Sequence, residues 1–233
     1  MSFIHTEQRG DARWITIANG PRNVLNPAAM RELATELGRA EADGAKAVVL
    51  TGQGAMFCGG LDVDAIRAGG DPVEFATELV ALLRLVPRLG LPVLGAVNGD
   101  ALASGFSLAL CTDMAVTVEG ARLGTFEASV GIWPMIAQVP PLQRLLPRHA
   151  LANILTGVPF SAEEALAVGA VNAVVARSDL AKQIDEWVGL TTRAGAALAS
   201  GRRAFYRFVD LSYDDALDQS LAEFAAMFRG APQ

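Results

Sequence analysis

The sequence predicts an α/β fold built on parallel strands, and three observations carry that expectation. Residues 47–50 and 92–97 are continuous apolar runs without polar alternation, as strands buried on both faces require. Segments with helical spacing lie between such runs, so successive strands are joined through helices. The chain has 233 residues, 52% hydrophobic and 19% charged, which suits one domain with a large core and a small helical appendage.

Taken in order, residues 13–18 read as an edge-compatible strand stopped by Asn19-Gly20-Pro21. Asn26 before Pro27 supplies an N-cap and a first helical residue, and Met30, Leu33, Leu37 and Ala40 form the apolar stripe that follows. Asp71-Pro72 opens a second helix carrying Phe75, Leu79, Leu82 and Val86, which Pro87 ends. Residues 104–111 read as helix and 114–118 as strand. Ser161 and Glu164 form a capping box with Gly169 placed to end the helix, and Ser212 and Asp215 form another. Behind the latter, Leu217, Leu221, Phe224 and Phe228 recur at helical spacing. A doubly wound nucleotide fold would share this order, so the class is firmer than the topology.

Composition removes several functions. A net charge of −6 argues against general nucleic-acid binding. No apolar run approaches the roughly 18 residues of a membrane span. The first ten residues are polar, with His5, Glu7 and Arg9, unlike a signal peptide. Cys58 and Cys111 cannot build a disulfide framework, and a cytoplasmic location is expected. With only His5 and His149, a metal cluster or a Ser-His-Asp triad is not expected. Gly52-Gln53-Gly54 lacks the third glycine of a dinucleotide fingerprint, Phe57 standing there. Apart from Lys46 and Lys182 the basic residues are arginines, so a ligand phosphate would meet arginine or backbone N–H.

Two small-residue segments and one carboxylate remain. Phe57-Cys58-Gly59-Gly60-Leu61-Asp62 and Asn98-Gly99-Asp100-Ala101-Leu102-Ala103-Ser104-Gly105 each break an apolar run, letting backbone approach a ligand closely. Ser104 would start a helix, where N–H groups are free. Two such turns facing one pocket would make an oxyanion hole, and Glu127 in its apolar setting would move a proton. That combination suits acyl-thioester chemistry through an enolate. Ordinary tight turns and a solvated loop glutamate use the same residues.

At this point the chain resembles the enoyl-CoA hydratase/isomerase (crotonase) superfamily, from about Trp14 to about Phe224. The resemblance rests on six stretches in the family's order: Val48-Val49-Leu50-Thr51-Gly52, residues 56–62, Ala96-Val97-Asn98-Gly99, Cys111-Thr112-Asp113, residues 123–131, and Leu155-Thr156-Gly157 through Ala165. It implies a crotonase-like spiral of ββα units over residues 1–190 and a C-terminal helical, trimerisation-type region over 191–233. It implies an acyl-CoA or enoyl-CoA substrate, no separate cofactor, and a homotrimer or hexamer. The N–H groups of Gly59 and Ser104 would form the oxyanion hole, and Glu127 matches the second acid/base glutamate of the family's hydratases. Ser107 stands in place of the first and could hold a water. One glutamate suffices for double-bond isomerisation, whereas hydration usually employs two carboxylates. Phe106, Trp133 and Met135 suggest an apolar acyl pocket, with a core role equally open to Phe106. Arg202 and Arg203 could contact phosphate, although a solvated helix face explains them more simply. Family members usually continue beyond the match at Glu223-Phe224 with a helical segment over the acyl site. That departure and Ser107 also admit an acyl-CoA-binding protein with little turnover.

Overall fold

In the computed structural model, which describes residues 2–229, the strands part into two sheets. The first has six strands: β1 (Ile4–Arg9), β2 (Ala12–Ile17), β3 (Ala47–Gly52), β5 (Val93–Val97), β7 (Met114–Val118) and β10 (Ala173–Val175), in the order β1-β2-β3-β5-β7-β10. The second has four: β4 (Met56–Cys58), β6 (Asp100–Leu102), β8 (Arg122–Gly124) and β9 (Phe160–Ser161), in the order β4-β6-β8-β9. Only the β1–β2 and β8–β9 pairs are antiparallel.

Each long buried strand therefore turns into a short one in the other sheet before a helix begins. β3 passes to β4, then to α2 (Val63–Arg67) and α3 (Pro72–Leu85). β5 passes to β6 and α4 (Ser104–Leu110), and β7 passes to β8. This is the expected ββα spiral; a doubly wound single sheet is not what forms. The first helix, α1 (Pro27–Ala42), starts where Asn26 Oδ1 accepts the Ala29 N–H at 2.8 Å, and its predicted stripe is buried. Phe57, Phe106, Leu33, Leu50 and Leu94 are fully buried in one continuous core.

The strand read as edge-compatible lies inside the sheet, because β1 covers it. The exposed residues His5 to Arg9 show no apolar alternation, so nothing in their pattern marks β1 as a strand. Beyond β8 come α5 (Val139–Arg144), α6 (Pro147–Thr156) and α7 (Ala162–Ala167), whose capping box at Ser161 and Glu164 is complete. Then follow α8 (Leu180–Thr191), α9 (Ala197–Phe208) and α10 (Tyr213–Arg229). At the start of α10, Ser212 Oγ accepts the Asp215 N–H at 3.2 Å. Leu217, Leu221, Phe224 and Phe228 are all exposed along α10.

Arg202 corrects the expectation of a solvated or phosphate-binding face. Its side chain is 6% exposed and donates to Asp113 Oδ2 at 2.8 Å. It also donates to the carbonyls of Leu89 at 2.5 Å and Val86 at 3.0 Å, satisfying the end of the α3 segment. Asp113 accepts the Tyr206 hydroxyl at 2.6 Å and the Val93 N–H at 2.7 Å. One buried ion pair thus ties α9 to the sheet. Removing one member of such a pair strands the other charge, so Arg202→Met should destabilise the protein by about 3–5 kcal/mol, read as a lowered urea midpoint at unchanged m-value.

Candidate active site

Three loops that sequence reading singled out converge because β4, β6 and β8 are parallel neighbours. Cys58 is in register with Ala101, and Leu102 with Gly124. The chain therefore leaves all three strands at the same edge, as residues 59–62, 103–104 and 125–127. The Ala103 N–H donates to the Gly124 carbonyl at 2.9 Å and links two of these exits.

The backbone donors around this edge can be accounted for one at a time. The Gly59 N–H donates to the Arg22 carbonyl at 2.8 Å, so it does not face a ligand. The Gly60 N–H faces the Cys58 sulfur, and the Asp62 N–H is held by the Leu25 carbonyl at 2.9 Å. The Leu61 N–H has no hydrogen-bond acceptor among the described residues. The reason is geometric. Leu25 and Leu61 form a parallel bridge in which Leu25 bonds to the Gly60 carbonyl and the Asp62 N–H, turning the amide of Leu61 to the opposite side.

The second donor lies beside it. The Phe106 and Ser107 N–H groups both go to the Ala103 carbonyl, leaving those of Ser104 and Gly105 free in the first turn of α4. Gly60 adopts φ +91°, and a Cβ there would lie 2.8 Å from Ala103 Cβ and 3.3 Å from Ser104 N. Only glycine lets the Leu61 turn rest against the start of α4. Ala103 itself holds φ 52° and ψ −123°, a strained setting for a residue with a side chain. Gly105 completes the contact, since a Cβ on it would meet the Cys58 carbonyl at 2.2 Å. The predicted pair Gly59 and Ser104 is therefore replaced by Leu61 and Ser104. The acceptor that occupies Gly59 belongs to a distant segment, which sequence reading does not bring near.

Glu127 follows the third exit and is partly buried. Its Oε2 accepts the Phe126 N–H at 2.9 Å, and its own carbonyl accepts the Ile132 N–H at 3.0 Å. Burial pushes its carboxyl above the usual glutamate range, and the backbone N–H groups of Glu127 and Phe126 offset that only in part. Burial also drives the Cys58 thiol up to about 12, so it remains protonated and is no nucleophile.

Sequence reading missed the residue that steadies Glu127. Asn153, fully buried on α6, accepts the Thr125 N–H and hydroxyl at 2.9 Å each. Its amide donates to the carbonyls of Thr125 at 3.0 Å and Val158 at 2.9 Å. The backbone two residues before Glu127 is thus clamped on both sides. An asparagine beside buried Ala150 and Ile154 was the available signal.

The other predicted site residues are scattered. Ser107 is fully buried and its hydroxyl donates to the Ala137 carbonyl at 2.8 Å, so it offers no surface for a water. Phe106 is core, tilted against Phe160 at 6.4 Å between ring centroids. Trp133 is partly exposed, its indole N–H donating to Gln138 Oε1 at 3.0 Å. Met135, with Ile136, lines a cavity of about 780 Å³ that reaches Leu110 and Cys111 at the far end of α4. Leu61, Ser104 and Glu127 are not among the residues lining that cavity.

Two outcomes follow. Asn153→Leu leaves the Thr125 N–H and carbonyl unsatisfied, at about 1–3 kcal/mol each, so the unfolding midpoint should fall and turnover should drop through misplacement of Glu127. Because the folded state holds the Glu127 proton more tightly than the unfolded chain, stability from this group is present at low pH and lost as pH rises above the ordinary glutamate pKa. Glu127→Gln should therefore stabilise the fold more at pH 7 than at pH 4, measured by urea unfolding at both.

A family model described as enoyl-CoA hydratase/isomerase matches residues 10–230. A Bacillus subtilis protein described as a probable enoyl-CoA hydratase is 28% identical over 92% of this chain and 86% of its own length. A carnitinyl-CoA dehydratase of Salmonella typhimurium is 36% identical over 70% of this chain and 63% of its own. Among solved structures, an enoyl-CoA hydratase of Mycobacterium smegmatis superposes with a TM-score of 0.91 at 26% identity, covering 99% of this chain and 92% of that one.

Proposed function

We propose a reaction from one premise: the chain belongs to the enoyl-CoA hydratase/isomerase family. A CoA thioester places its carbonyl oxygen between the N–H groups of Leu61 and Ser104, and Glu127 moves a proton at the acyl chain. The α-proton of a thioester is too weakly acidic to remove unless charge on the carbonyl oxygen is stabilised as it develops. Two fixed donors supply that at about 3–4 kcal/mol each in the best-measured cases.

The observation that carries the finer reading is the hydrogen bond from Ser107 to Ala137. Hydration needs a group to activate water and another to place a proton on the α-carbon. Here the second position holds a hydroxyl already committed to a carbonyl, leaving a single carboxylate. Glu127 takes a proton from C2 of a 3-enoyl thioester, the charge spreads onto the carbonyl oxygen and the chain, and the same carboxyl returns the proton to C4. Isomerisation of a 3-enoyl to a 2-enoyl thioester needs no more.

Arg22 supports the placement of CoA. Its carbonyl holds Gly59, and its Cβ and Nε lie 3.4 Å from where a Gly59 Cβ would be, so a cation stands beside the thioester turn. It has no carboxylate partner among the described residues and would meet a CoA phosphate. Assembly through the exposed stripe of α10 into a trimer or hexamer, and a cytoplasmic location, belong to the same reading. No described helix is long and apolar enough to cross a membrane.

The purified protein should convert 3-enoyl-CoA to 2-enoyl-CoA, followed as the rise in conjugated thioester absorbance, with little hydration of 2-enoyl-CoA. Glu127→Gln should abolish that conversion while CoA thioesters still bind. Hydration that is fast and lost in the variant would make the protein a hydratase. Binding without either reaction, unchanged by the substitution, would make it an acyl-CoA-binding protein.

A further inference from the structure

We infer that the cavity at the far end of α4 takes an acyl chain whose distal end is a carboxylate, so that the preferred substrate is a CoA monothioester of a dicarboxylic acid. This rests on the thioester reading above and names the substrate class for that site.

The cavity, about 780 Å³, lies between α3, α5 and α9. Its walls include Val80, Leu83, Ile136 and Val139, an apolar bed for methylenes. Arginine surrounds that bed: Arg84, Arg88, Arg144, Arg203 and Arg207 all line the cavity, against Asp210 as the one acidic lining residue. In a chain of net charge −6 this is a local reversal of sign.

Two of the five guanidinium groups are already compensated, Arg203 by Glu41 and Arg207 by Glu223. Arg84 and Arg88 have no carboxylate partner among the described residues. Arg144 donates only to neutral oxygens, the Leu110 carbonyl at 3.1 Å and the Tyr206 hydroxyl at 2.7 Å. Three uncompensated, exposed guanidiniums therefore stand at the mouth of an apolar cavity. A hydrocarbon tail would use the bed and leave them to water. A tail ending in carboxylate would use both, exchanging water for charge-assisted, bidentate hydrogen bonds.

The phosphates of CoA share this anionic chemistry. Position separates the two. Arg22 stands by the Leu61 turn, at the N-terminal end of α4, whereas Leu110 and Cys111 bring the cavity to the other end. A helix of seven residues places those ends about 10 Å apart. CoA and the acyl chain leave a thioester in opposite directions. The residues from Glu127 onward lead to Met135 and Ile136 in the cavity wall, and on that continuity the acyl chain is assigned to this side. The same positive mouth disfavours an acyl group carrying a quaternary ammonium.

The test compares enoyl-CoA pairs of equal chain length that end in methyl or in carboxylate, using the full chain. Saturated analogues of the same pairs measure binding by calorimetry. Carboxylate-ended thioesters should be favoured at least about tenfold in kcat/KM and in Kd, the effect of one charge-assisted pair. In the double variant Arg84→Met, Arg88→Met, that ratio should fall about tenfold, and Arg84→Glu, Arg88→Glu should push it below one. Equal handling of both series by the unsubstituted protein overturns the inference and leaves the reaction standing. A variant that weakens both series alike assigns these arginines to CoA phosphate and also overturns it. Carboxylate-dependent binding without turnover of any thioester would uphold the inference and remove the reaction assigned to Glu127.

Discussion

The parallel pairing of β4, β6 and β8 is the constraint on which the site depends. It brings three chain exits to one edge, and two close backbone contacts then fix them against each other. Gly105 lies against the Cys58 carbonyl where no Cβ fits, and Gly60 lies against Ala103 and the Ser104 nitrogen. These contacts leave almost no freedom to the amides of Leu61 and Ser104. Their orientation is set during folding, so in the proposed reaction no reorganisation would be required as charge develops on the thioester carbonyl. The positive φ of Ala103 belongs to the same arrangement, since a residue in that conformation persists only where its surroundings over-determine it.

Glu127 is placed by different means. Its loop crosses from β8 to a short helical turn, and such a segment would be mobile without an anchor. Asn153 supplies one by using both ends of its amide on Thr125, so the carboxylate is positioned through the backbone. Its desolvation keeps the proton affinity above that of an ordinary glutamate. In the proposed reaction that affinity matters, because one group must both take the proton and return it, and a base matched to the stabilised enolate does both.

Much of this was legible in the sequence, and the failures share a cause. The buried runs 47–50 and 92–97, the Asn26 cap and the Ser161 capping box all announce themselves through local pattern, and the structure forms strands over 47–52 and 93–97 and completes both caps. What the sequence could not show is which distant partner each polar group meets. Gly59 reads as a free donor until Arg22 is brought to it. Arg202 reads as solvated until α9 folds onto Asp113. Ser107 reads as a water-holding hydroxyl until it donates its hydrogen bond to the Ala137 carbonyl. The division into two sheets is hidden for a similar reason, since β4, β6 and β8 are only three residues each and carry no period of their own.

The charge distribution adds a further consideration. A chain of net charge −6 should repel a polyanion such as CoA at long range, yet four arginines without a carboxylate partner among the described residues stand at the two ends of α4, Arg22 at one and Arg84, Arg88 and Arg144 at the other. Salt screens the repulsion at separations beyond about 10 Å, while contacts at closer range survive it. Affinity should therefore come from where the arginines sit, and the overall acidity then acts against anions that engage only one end. Arginine suits this better than lysine, because its planar fork binds carboxylate and phosphate through two parallel hydrogen bonds and remains charged beside apolar walls. A ligand that is anionic at both ends and apolar between them is the one whose charge pattern matches both clusters across the length of α4.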